Sequence, residues 1–298
     1  MILKVTDIGE LVLKQRSRAR EGTVRRVFHS SAYVETSEGL ILLLHGGLRS
    51  PMTVNLDPGE NPEGVLSAGD AFHFRGATIK VGELSLVLEG AKVFRSSLRR
   101  RAPFRPIAAK ELVRGAVMLR LLYNVSSPAL DLVGDRSFKK FVRSVLLPVA
   151  GGRLSGAYLP DNYFALIGLG SGFTPAGDDF VSGFTAAFNY VARRTGAKLI
   201  ALPMSELLRR TVPESATILG YAQNGYVDED LEKLILSAAG ARQGKFTDQL
   251  LEVARRGHTS GIDMSSGVVL SVAAVRDGIE HDGALESVLL ALTGSRTL

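Results

Sequence analysis

The feature that most constrains the fold of this chain is a change of hydrophobic period near residue 100. Up to Leu88 the apolar residues fall in short, often alternating runs, whereas after Pro106 they recur every three or four positions. A period of two suits a sheet and a period of 3.6 suits a helix, so one kind of element cannot serve both halves. Val24–Phe28, Ala32–Thr36, Leu40–His45, Met52–Asn55, Ala71–Phe74, Ala77–Val81 and Leu84–Leu88 read as strands. Turn residues such as Ser37-Glu38-Gly39, Asp57-Pro58-Gly59 and Gly69-Asp70 separate them. Strands this short and closely spaced predict a small barrel or sandwich. Arg99–Pro106, with two prolines, marks the boundary, giving a β-rich domain at 1–104 and a mainly helical domain at 105–298. Helices are predicted over Ala108–Tyr123, Phe138–Val149, Pro175–Arg194, Glu214–Asn224, Glu229–Ala239, Thr247–Arg256, Ser260–Asp277 and Ala284–Thr293. The fold class is α+β with the two kinds of element segregated.

Composition removes several functions. The 298 residues include no cysteine, which excludes disulfide frameworks, thiolate metal sites, iron–sulfur clusters and a Cys nucleophile. The longest purely apolar run is Leu40–Leu44, against the roughly 20 residues of a membrane span. The opening Met1-Ile2-Leu3-Lys4 carries no basic-then-apolar leader, so a soluble cytoplasmic protein is expected. The net charge of +6 lies wholly in residues 1–110, which hold 17 basic and 11 acidic residues; 111–298 hold 19 of each. Lys14–Arg20 with Arg25-Arg26, and Arg95 with Arg99-Arg100-Arg101 and Arg105, supply the excess. Such runs suit a polyanion, an acidic partner subunit or plain solvation. No aromatics are interleaved to stack bases, which argues against nucleic acid.

The chemistry-bearing stretch is Ile167-Gly168-Leu169-Gly170-Ser171-Gly172-Phe173-Thr174-Pro175-Ala176-Gly177-Asp178-Asp179-Phe180. Glycines this dense cost unfolded-state entropy, and in return allow positive φ angles and a bare backbone whose N–H groups can converge on an anion. Thr174 is placed as an N-cap and Pro175 as the first helical residue, adding the positive end of the helix to the same cradle. Phe180, Phe184, Ala187, Phe188 and Val191 form an apolar stripe, and Asp178, Ser182, Thr185 and Asn189 the opposite polar one. Asp178 and Asp179 beside an anion cradle suggest a divalent cation, Mg or Mn, bridging carboxylate and phosphoryl oxygens; the bland alternative is that they complement the helix dipole. The spacing is neither a Walker loop nor a dinucleotide fingerprint, so no nucleotide cofactor motif is present.

A second polar cluster, Gly257-His258-Thr259-Ser260-Gly261-Ile262-Asp263-Met264-Ser265-Ser266-Gly267, precedes an apolar helix. Ser260 and Asp263 have capping-box spacing, and His258 could transfer a proton or donate to an anion. Thr211–Thr217 is a third, weaker hydroxyl-rich helix start, and the three could converge on one pocket. Arg242, Arg255 and Arg256 are candidates to neutralise an anion.

The segments Ile167–Gly183 and Gly257–Gly267 together resemble a bacterial and archaeal family that includes the H-type subunit of the oxamate carbamoyltransferase of anaerobic allantoin degradation. The resemblance covers about the last two-thirds of the chain; the first hundred residues carry no matching motif. It implies carbamoyl transfer between oxalurate or oxamate and phosphate or carbamoyl phosphate, with a divalent metal and partner subunits. On the residues, the expected site is an anion cradle of Gly168, Gly170, Ser171, Gly172 and Thr174, with Thr259, Ser260, Asp263 and Ser265 nearby. Asp178 and Asp179 would be metal-binding and, with His258, catalytic. The substrate expected is a small anionic metabolite bearing phosphate or carboxylate. Two alternatives stand beside it: a small-molecule kinase using Gly-Leu-Gly-Ser as a phosphate loop, and a non-catalytic assembly subunit.

Overall fold

In a computed structural model, described for residues 1–18, 20–45, 47–57, 64–96, 98, 104–126, 135–152, 165–170, 173–195, 199–241 and 245–294, the chain forms two compact units. One comprises Met1–Ser96 with Val227–Glu229, the other Ser97–Tyr226 with Asp230–Leu298.

The first unit is a closed eight-strand β-barrel. Its strands are β1 (Ile2–Gly9), β2 (Glu21–Phe28), β3 (Ser31–Thr36), β4 (Gly39–His45), β5 (Thr53–Leu56), β6 (Ala71–Arg75), β7 (Thr78–Val81) and β8 (Leu84–Val87). They run in the order β5-β4-β3-β2-β6-β7-β8-β1, and pairing of β1 with β5 closes the ring. Alternation explains the closure. Phe72 and Phe74 of β6, Ile79 and Val81 of β7, and Leu84 and Leu86 of β8 all face one shared core with Leu3, Val5, Val34, Ile41 and Val54. A ninth strand, β9 (Lys92–Phe94), pairs with Asp7–Gly9 of β1, past the end of β8. The first strand, β9 and the six-residue helix α1 (Glu10–Gln15) were not predicted from the sequence. β1 is mixed, antiparallel to β5 and parallel to β8 and β9, a pairing no local pattern announces.

The second unit is helical: α2 (Ala109–Ser126), α3 (Arg136–Phe141), a π-helical turn (Val142–Leu146), α4 (Leu147–Ala150), α5 (Ala176–Thr195), α6 (Met204–Arg210), α7 (Pro213–Gln223), α8 (Glu229–Ala238), α9 (Phe246–Ala254), α10 (Ser260–Glu280) and α11 (Ala284–Thr293). The short α6 was not predicted, and residues 165–168 form a turn. α5 is buried along Gly177–Ala192, its polar stripe included. Its apolar face meets α3, where Phe141 stands edge-on to Phe184 at 5.1 Å between centroids. Asn189, 0% exposed, is satisfied by donating to the Ile200 and Gln223 carbonyls and accepting from the Ile200 N–H, all at 2.7–2.8 Å.

The other face of α5 lies against α10 with the backbones nearly touching. A Cβ on Gly183 would collide with the Met264 carbonyl, and one on Gly267 would come within 2.6 Å of the Phe184 nitrogen. Gly183 meets Met264, Gly267 lies between Phe180 and Phe184, and the Thr174 and Ser260 hydroxyls stand 3.2 Å apart, so the two helices lie side by side with their first turns at the same end. Gly183→Ala should therefore cost about 3 kcal/mol or more, because neither backbone can retreat without opening a packed core. Chemical denaturation of that variant beside the wild type checks it; stability within about 0.5 kcal/mol of wild type would contradict the close approach.

Candidate functional site

The close pairing of α5 with α10 decides what their first turns can touch. Thr174, just before α5, donates its hydroxyl to Asp179 Oδ2 at 3.0 Å and lies 3.2 Å from the Ser260 hydroxyl. Asp263, one turn into α10, accepts at Oδ1 from the Tyr123 hydroxyl of α2. Asp178 accepts from the Gly168 N–H at 2.7 Å and from the Thr211 hydroxyl ahead of α7. Asp178, Asp179 and Asp263 are all buried, and among the described residues none forms an ion pair. Three hydroxyl-rich helix starts thus do come together, around carboxylates.

Burial governs their ionisation. It pushes Asp179 up to about 7, against the lowering effect of the Ser260 and Thr174 hydroxyls; the Asp178 charge raises it further and Arg256 lowers it. Asp263 is also pushed up to about 7, by burial first; the Tyr123 hydroxyl opposes this, the Asp179 charge adds to it and the Thr259 hydroxyl lowers it slightly. Asp178 is raised by burial as well, but Thr211 and the Gly168 amide hold it back. Burial and the Asp263 charge push the Tyr123 hydroxyl well above its usual range, so it stays a donor. Asp179 and Asp263 therefore change charge near neutral pH, where a buried acid can give or take a proton.

Several expected roles change. Gly168 and Gly170 do have positive φ, 81° and 105°. Yet the Gly168 amide binds Asp178 and the Leu169 amide binds the Leu166 carbonyl, so neither is open to an anion. Thr174 is not an accepting N-cap: α5 begins at Ala176, and the hydroxyl donates to Asp179. Ser260 and Asp263 form no capping box, because Thr259 is the N-cap, with no side-chain capping bond, and Asp263 turns to Tyr123. His258 is exposed, and among the described residues no hydrogen bond joins it to Asp178 or Asp179. Ser265 is 0% exposed with its hydroxyl unpartnered. Arg255 is exposed and Arg256 half-buried. Ser171, Gly172, Arg99-Arg100-Arg101 and Arg242 lie outside the described residues. Tyr123, which periodicity reads as one more apolar position of α2, is the member of the cluster that the sequence concealed.

The arrangement does not suit the divalent ion expected from Asp178 and Asp179. Among the described residues no three His, Asp or Glu side chains converge to hold a metal. Asp178 already spends both oxygens on Gly168 and Thr211.

Both first turns lie inside the region that matches a known family. Residues 166–272 match the family model described as oxamate carbamoyltransferase subunit AllH. That agrees with the resemblance carried by the two motifs, and the barrel lies outside the match. No curated protein and no solved structure matches the chain. Among the described residues no helix is long and apolar enough to cross a membrane.

The raised acids set a pH dependence. An unfolded aspartic acid ionises near 3.9, while Asp179 in the fold ionises only near 7, so between these values the folded state holds more protons. The stability contributed by the protonated group is full below about pH 4 and is lost as pH rises through 7. Asp179→Asn should thus unfold several degrees above wild type at pH 8 and no higher than wild type at pH 4 in thermal scans. Identical pH dependence of the two proteins would contradict the burial of that charge.

Proposed function

We propose that this chain is a subunit of a carbamoyl-transferring enzyme acting on a small carboxylate such as oxamate. The buried Asp179–Asp263 cluster is where the chain meets that substrate. One coincidence carries the reading: the matched segment 166–272 spans both first turns that build the cluster, and its acids are buried with no ion pair among the described residues, Arg256 acting on Asp179 only weakly. Buried, unpaired acids are costly to a fold and are found where proton chemistry needs them.

Each side chain then has a role. Asp179 and Asp263 contact the substrate and exchange its proton. Thr174 and Ser260 align Asp179, and Tyr123 aligns Asp263. Asp178 holds the glycine-rich turn to the start of α7 through Gly168 and Thr211. His258 is left out, being exposed and unattached. The kinase alternative is disfavoured because the Gly168 and Leu169 amides are engaged within the protein. Partner subunits belong to the proposal, since the family description is itself that of a subunit.

Carbamoyl transfer to oxamate, followed as phosphate release from carbamoyl phosphate by the chain assembled with its co-purifying subunits, tests this. Asp179→Asn and Asp263→Asn should each lower the rate by about 100-fold or more with the circular dichroism unchanged. His258→Ala should stay within about threefold of wild type. Full activity in both Asn variants would remove the cluster from the reaction.

A further inference from the structure

The cluster holds several hydroxyl donors, Thr174 and Ser260 at Asp179 and Tyr123 and Thr259 at Asp263, yet one acceptor is left bare. Asp263 is 0% exposed; its Oδ1 accepts a hydrogen bond from the Tyr123 hydroxyl, while its Oδ2 is buried with no hydrogen-bond partner among the described residues. Asp179, 2% exposed, takes a proton from Thr174, and its charge is felt at both Asp263 and Tyr123. The nearby amides are spent: Asp179 N–H on the Pro175 carbonyl, Asp263 N–H on the Thr259 carbonyl, Gly168 N–H on Asp178. A buried acceptor left bare is costly, and a donor that reaches it recovers that cost.

The chemistry of the missing donor can be narrowed. A carboxylate or phosphate brought to Oδ2 would face two buried acids, with Arg256 the one cation acting on Asp179 and its effect smaller than that of the two hydroxyls. An ammonium ion carries three N–H protons, whereas Tyr123 occupies Asp263 Oδ1 and Gly168 and Thr211 occupy both oxygens of Asp178, which leaves too few acceptors to satisfy it. A planar amide carries two N–H protons and no net charge, which matches the bare Asp263 oxygen with Asp179 beside it.

We propose that Asp263 Oδ2 and Asp179 receive the N–H protons of an uncharged amide or ureido group, so that this cluster reads the nitrogen end of its substrate. The inference rests on the carbamoyl-transfer reading and names which end of the substrate this chain holds; the carboxylate end is held elsewhere. Tyr123 is then a positioning residue, since its hydroxyl occupies Oδ1 and leaves Oδ2 to the ligand.

Isothermal titration of the full chain, with the subunits that co-purify with it, uses three probes: oxamate, N,N-dimethyloxamate and oxalate. The first has amide protons and a carboxylate, the second a carboxylate without N–H, and the third two carboxylates. Oxamate should bind at least tenfold more tightly than either of the others. Asp263→Asn should lower oxamate affinity at least tenfold and leave oxalate unchanged. Should that variant fail to fold, Tyr123→Phe serves instead, with a loss of about threefold or more for oxamate alone. Equal affinity for oxamate and both N–H-free probes overturns the inference while leaving the carbamoyl-transfer reading intact. Binding of none of the three also overturns it; absence of carbamoyl transfer by the assembled subunits, measured separately, overturns the reading beneath it.

Discussion

Everything distinctive in the helical unit follows from the approach of α5 to α10 through Gly183 and Gly267. Each glycine faces backbone of the opposite helix at a distance no side chain would tolerate. The contact aligns two helices of 20 and 21 residues with their first turns at one end. Two positive helix ends side by side repel one another, and acids in those first turns offset the repulsion. Asp178, Asp179 and Asp263 fill that need. The same packing buries them, however, and burial opposes ionisation. Helix dipole and desolvation pull in opposite directions, which leaves acids that titrate in the middle of the pH range.

Adjacent acids meet different fates because a helix turns them about 100° apart. Asp178 finds donors on both oxygens, the Gly168 amide and the Thr211 hydroxyl, and becomes part of the scaffold. Asp179 faces α10, finds the hydroxyl of Thr174, and shares its surroundings with Asp263. Environment thus separates an acid tied into the scaffold from one left to change charge near neutral pH within two residues, as it separates paired carboxylates in some enzymes. The fold bears the cost of this buried pair in stability at high pH.

Much of this was legible in the sequence. The change of period near residue 100 separates strands from helices because alternation and helical spacing report directly which faces are buried. β1 was invisible for the opposite reason: Ile2–Gly9 takes its identity from partners more than 45 residues away, such as Leu56 opposite Val5. The polar stripe Asp178, Ser182, Thr185 and Asn189 suggests a helix face free of the core, yet all four are buried, because Asn189 finds backbone partners at Ile200 and Gln223. The two motifs mark the segments whose helix starts meet, but not the contact that brings them together. Glycines at 168 and 170 were read as opening amides to an anion, whereas the glycines that matter most, 183 and 267, let helices touch. Tyr123 could not be found, since one hydroxyl on an apolar stripe carries no signal until α2 and α10 are seen together.

The central claim is that Asp179 and Asp263 occupy one buried environment and ionise as neighbours. The most direct measurement is nuclear magnetic resonance of the chain labelled with ¹³C at aspartate carboxyls, followed across pH. Two signals should move near pH 7, and replacing either acid by asparagine should displace the midpoint of the other downward, since removing the neighbouring charge makes ionisation easier. If both signals instead move near pH 4, each indifferent to the other, the acids lie in water and apart, and the account fails.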